Sequence, residues 1–130
     1  MIGTYKLARQ HLGRFHFGEI AVSVEGISSG ISNYENIAVK IEPDWEAKMG
    51  TIQDDFRESS IVGVRKFISA YPRDSWGKRF VVTKILATNI DTEDQALETV
   101  AFLACFNALF PTAPLPDLQY SVSGGWQVGG

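Results

Sequence analysis

The chain has 130 residues, a length at which one domain can bury a core without disulfide or metal staples. Its 45% apolar and 21% charged residues exclude a disordered or fibrous chain, and a net charge of −3 weighs against a protein devoted to gripping phosphate, while leaving room for a local basic patch. One cysteine excludes an internal disulfide, no run reaches the ~18 apolar residues of a membrane span, and Met1–Lys6 lacks the pattern of a secretion signal, so a reducing, cytoplasmic setting is expected.

Residues 1–13 carry few signals. Tyr5, Leu7 and Leu12 can dock on the body, whereas Lys6, Arg9, Gln10 and His11 suit a solvated arm. A strand is expected from Arg14 to Val24. Phe15 and Phe17 lie on one phase, Ile20, Val22 and Val24 on the other, and Gly18 between them suggests a bulge or bend. The turn formers of Gly26–Asn33 read as a loop joining two antiparallel neighbours. In the next strand Ile37, Val39 and Ile41 alternate with Asn36, Ala38, Lys40 and Glu42, and Pro43 stops it. Trp45 then reads as a lid on the edge of the core.

A helix is expected from about Gln53 to Ala70, with Thr51 as N-cap and Asp54 and Asp55 in its first turn. Phe56, Ser60, Val64 and Ile68 share one face, flanked by Ile61 and Phe67. Gly63 costs such a helix up to about 1 kcal/mol against alanine, so it signals close packing on the sheet or the second helix. A turn, Tyr71–Gly77, leads to a strand over Lys78–Thr88 that is apolar on both phases from Phe80 to Ala87, as a central strand would be. Asp91 or Thr92 can cap the last helix, which ends near Phe110. It has no charge past Glu98, so it is either buried or faces a partner, and Cys105 reads there as a small buried hydrophobe. Pro111, Pro114 and Pro116 stiffen the exit, and Leu118–Val128 reads as a last strand or arm. The order β-β-α-β-α gives an α+β two-layer sandwich in a single domain, with a core over 14–110, terminal arms over 1–13 and 111–130, and room for an extra strand at each end.

Little catalytic chemistry is on offer. His11 and His16 are the only histidines, and on a strand His16 and Glu19 face opposite sides, which is poor metal geometry. Both read as surface polar residues. No Ser/His/Asp order is present, and Asp54-Asp55 and Glu93-Asp94 read as helix-start acids. No catalytic residue, metal or cofactor is therefore assigned, and a small enzyme with an unidentified site is kept as an alternative. The candidate binding surface is Arg73, Trp76, Lys78 and Arg79, cations with an aromatic, a composition that stacks bases and meets phosphates. Arg14 and His16 join it if the first strand lies beside it. The leading expectation is a protein-binding or self-associating module that uses the uncharged last helix or the Trp126 arm. RNA or a ribosome is the alternative partner.

Several segments follow one another in a specific order: Gly13-Arg14-Phe15-His16-Phe17-Gly18, Ile41-Glu42-Pro43, then Gly50, Ile52, Phe56 and Gly63-Val64, then Arg79-Phe80-Val81-Val82, and the helix from Asp91 to Phe110. Over about Arg14 to Phe110 this order resembles domain IV of translation elongation factor G, of the ribosomal protein S5 domain 2-like fold. The resemblance implies the two-layer sandwich and a contact with RNA or the ribosome. The chain departs from the family in having no Gly-x-x-x-x-Gly-Lys-Ser/Thr loop and only a short connection, Ala87–Thr92, with no histidine. The translocation role and the family's functional residues are therefore not carried over.

Overall fold

A computed structural model of the chain describes residues 1–11, 13–27, 37–41, 54–88, 91–121 and 124–128. The expected loop over 28–33, the stop at Pro43, the lid Trp45 and the cap Thr51 lie outside them.

Strand β1 (Ile2–His11) pairs antiparallel with β2 (Arg14–Gly26) in an unbroken register from Ile2 opposite Ser23 to His11 opposite Arg14. Gly13 takes φ +77° in the turn between them, a left-handed conformation that side chains disfavour. Residues 2–11 thus form a full strand. Gly3, Tyr5 and Leu7 alternate onto its inward face, and Lys6 and Gln10 onto the other, as a half-buried edge strand requires.

Strand β3 (Ile37–Val39) lies parallel to β4 (Lys78–Leu86), and β4 lies antiparallel to β2. The sheet order is β1-β2-β4-β3. This corrects the expectation that the strands before and after the 26–33 loop are neighbours. β4 arrives between them, and its apolar residues on both phases suit that central place.

The expected phase change at Gly18 does not occur. His16, Gly18, Ile20, Val22 and Val24 all face inward, and Phe15 and Phe17 lie on the open face. Gly18 instead makes room for α3 (Asp94–Leu109), since a Cβ there would sit 3.1 Å from Leu97 Cδ2. The irregularity falls further on, between Ala21 and Val22, where Thr83 of β4 is the extra residue.

Helices α1 (Asp54–Ala70) and α3 cover the inward face, and the four-residue α2 (Pro72–Ser75) links α1 to β4. α3 packs on β1 and β2, and α1 packs on β3, β4 and α3. A second hairpin, β5 (Leu118–Ser121) with β6 (Gly125–Val128), closes against α3. The result is an α+β two-layer sandwich with additional strands at both ends of the chain. No helix among the described residues is long and apolar enough to cross a membrane.

Two glycines set the helix positions. A Cβ on Gly63 would fall on the Glu98 carbonyl oxygen and 2.7 Å from Ala101 Cβ, so α1 and α3 touch there backbone to backbone. A Cβ on Gly3 would likewise strike the α3 backbone at Ala104 and Ala108. The uncharged stretch of α3 is covered by β1, β2, α1 and β6, so its apolarity is spent inside the molecule. Cys105 is fully buried in it, and burial pushes its thiol pKa up.

The expected caps of α3 also change. Its N-cap is Glu93, which makes no side-chain cap bond. The Thr92 hydroxyl donates to the Phe17 carbonyl at 2.8 Å and accepts the Thr88 N–H at 2.8 Å, and the Phe17 N–H donates to the Asp91 carbonyl at 2.9 Å. β2 outruns β4 at this end, and the 88–92 turn satisfies the backbone groups left over.

Candidate binding surface

The turn before β4 is built locally. Pro72 starts α2, the Ser75 N–H donates to the Tyr71 carbonyl at 3.1 Å, and Gly77, at φ +69°, swings the chain into β4. Trp76 has no place under the sheet and stands 65% exposed. With Pro72 and Arg73 it lines a shallow depression of about 410 Å³. Arg73 is exposed, and Lys78 and Arg79 are half-buried opposite Gly26 and Glu25. None of the three cations forms an ion pair among the described residues. Arg73, Trp76, Lys78 and Arg79 lie at one end of the sheet, with Arg73 and Trp76 sharing the depression and Lys78 and Arg79 on opposite faces of β4.

Arg14 and His16 do not join them. The register puts Arg79 opposite Glu25, about nine positions or roughly 30 Å along β2 from His16. His16 is also not a surface residue. It is 1% exposed, because it shares the inward phase of β2 with Gly18 and Ile20. Its ring lies 5.4 Å from that of Tyr120 and 5.5 Å from that of Trp126, and the His11 ring lies 4.4 Å from Tyr120. Arg14 binds Glu93 at 3.0 Å, and the same Glu93 oxygen stands 4.0 Å from His16 Nδ1.

The expected Trp126 arm is a clamp. Trp126 is buried, its backbone N–H donates to Gln95 Oε1 at 2.7 Å, and its carbonyl accepts from Thr99 Oγ1 at 2.6 Å and from Gln95 Nε2. The Gln95 amide thus stands in for a neighbouring strand along β6, a role no sequence pattern announced. A groove of about 290 Å³ beside it is lined by Phe102, Thr99 and the Lys66–Glu98 ion pair, which is closed at 2.6 Å. Among the described residues no three His, Cys, Asp or Glu side chains gather as metal ligands.

Neither nitrogen of His16 has a hydrogen-bond partner among the described residues. A buried polar group in that state costs stability, and an apolar group of similar size removes the cost. His16→Leu is therefore expected to hold or raise stability by about 1 kcal/mol in urea titration. A loss above about 2 kcal/mol would show that the imidazole has a partner it depends on.

No protein-family model matches the chain, and no curated protein matches it. Among solved structures, one from Thermus thermophilus is similar with a TM-score of 0.58 at 19% identity, over 92% of this chain and 16% of the other. At that identity the likeness is one of fold. The chain shares its fold with a small part of a much longer bacterial protein.

Proposed function

We propose that the chain is a non-catalytic module that contacts single-stranded RNA through Arg73, Trp76, Lys78 and Arg79. The observation that carries this reading is the exposed Trp76 ring, which shares a depression with Arg73 and lies just before Lys78 and Arg79 at the start of β4, none of the three cations forming an ion pair among the described residues. A base stacked on such a ring gains about 1–3 kcal/mol, and the cations meet the flanking phosphates. The resemblance to elongation factor G domain IV points to the same class of partner. Arg79-Phe80-Val81-Val82 lies on β4 and Gly63-Val64 on α1, whereas Glu42, Pro43, Gly50 and Ile52 lie outside the described residues. A ribosomal contact is the finer form of this proposal; translocation is no part of it. The uncharged helix and Trp126, which favoured a protein partner, are both covered within the chain.

The test is fluorescence anisotropy of a labelled single-stranded RNA, titrated at rising salt. Binding is expected at low salt, weakening as salt rises. Trp76→Ala should weaken it about tenfold with an unchanged melting temperature. Arg79→Glu should weaken it more and lower the melting temperature slightly, because it sets a second carboxylate opposite Glu25. Absence of binding at low salt, or indifference to both substitutions, overturns the reading.

A further inference from the structure

β1 is the outer strand of its sheet, and its far edge pairs with no described strand. Met1 and Val24 exchange both backbone bonds, at 2.9 and 2.7 Å, which fixes the alternation along the hairpin. Gly3, Tyr5, Leu7, Arg9 and His11 turn their N–H and C=O groups to β2, and Thr4, Lys6, Ala8 and Gln10 turn theirs outward. The Thr4 carbonyl accepts from Asn107 Nδ2 at 2.7 Å, in keeping with that alternation. The outward groups of Lys6, Ala8 and Gln10 have no partner among the described residues, and all three residues are exposed.

This edge is ten residues long and carries no proline and no bulge. Lys6 is its only charge on the open face. Such an edge is a template for another strand.

We propose that it pairs with the same edge of a second copy of this chain, antiparallel about a two-fold axis at Ala8, so that the two four-stranded sheets become one. The register follows from charge and size. With the axis at Ala8, the smallest exposed side chain meets its own copy, Lys6 faces Gln10, and Leu7 faces Arg9. No like charges meet. An axis at Lys6 sets two ammonium groups opposite each other and takes the Thr4 carbonyl from Asn107. The Ala8 axis leaves that bond intact and uses every outward backbone group of Lys6, Ala8 and Gln10. Two-fold symmetry, which such a self-complementary edge satisfies, is the commonest closed arrangement for identical chains.

The experiment is sedimentation equilibrium on the full chain without RNA, over a wide concentration range. The wild type is expected to be a dimer. Ala8→Asp and Ala8→Lys each put like charges on the axis and should sediment as monomers. Circular dichroism should show both still folded, because residue 8 is exposed and its N–H takes no part in the hairpin. Mixing the two variants should restore a dimer containing one copy of each. A wild type that stays monomeric at the highest attainable concentration overturns the proposal and leaves the edge to an extended peptide of another protein. A dimer indifferent to both substitutions, or a mixture that fails to associate, overturns it as well. Since RNA is absent throughout, failure here is separate from failure of the RNA reading.

Discussion

Phe67→Ala is expected to cost about 4 kcal/mol and to lower Tm by roughly 15 °C. Phe67 is fully buried on α1, where the two layers meet. Its ring lies 4.9 Å from Tyr71, 5.5 Å from Phe102, 6.2 Å from Phe80 and 6.4 Å from Phe110. Truncation removes the apolar surface of a whole ring and leaves a cavity whose walls are held by the sheet on one side and α3 on the other, so collapse into it is limited. The aromatic pairs add about 0.5–1.5 kcal/mol each beyond burial. A domain of this kind has about 5–15 kcal/mol in hand, so the variant should fold but melt early. Urea titration checks this: the midpoint should fall with the slope unchanged. Phe67→Leu, which keeps most of the volume, should lose clearly less, about 1.5 kcal/mol. An alanine cost under about 1 kcal/mol would mean that the ring does not sit in the core as described.

Gly63→Ala should also destabilise, by about 2 kcal/mol, although helix propensity alone favours alanine by about 1 kcal/mol. The sign is the informative part. The added methyl meets the Glu98 carbonyl oxygen and Ala101 Cβ, and a backbone carbonyl cannot swing aside as a side-chain tip can. The helices must part, and that opens contacts on both sides of the crossing. Arg65→Ala, on the exposed side of the same helix, is the control and should stay within about 0.5 kcal/mol. A stabilised Gly63→Ala protein would show that α1 and α3 do not touch at this point.

Gly63 was legible in the sequence because a glycine inside an otherwise good helix has an energetic cost and so needs a reason. The missing charges of α3 were legible in the same way. The inward phase of β2 was not. His16 and Gly18 occupy two of its positions and carry no apolar signal, while Phe15 and Phe17 on the open face imitate a core phase. β1 was ambiguous because an edge strand buries only one side, and Gly3, its closest contact with α3, shows no side chain to read. Strand order was hidden because pairing of β2 with β4 is set by packing across the chain, beyond any local pattern. The site divides along the same line. Arg73 on α2, Trp76 just past it, and Lys78 and Arg79 at the start of β4 lie within seven residues, so adjacency in sequence was enough to group them. Placing Arg14 and His16 required the register, which sets them at the opposite end of β2.

The strand order also governs the sequence of events in synthesis. β2 cannot be paired on its second edge until β4 exists, some 60 residues later, and the Asn107–Thr4 bond spans 103 residues. A chain emerging at about 5–20 residues per second thus holds an isolated hairpin, marginal on its own, for several seconds before α3 can cover Gly3, Leu7 and Ile20. Folding must then wait on the farthest contacts, which places it in the slower, millisecond-to-second range of small domains. During that interval the nascent hairpin presents bare apolar side chains and an unpaired edge together, so the time before α3 docks is when this chain is most prone to wrong association.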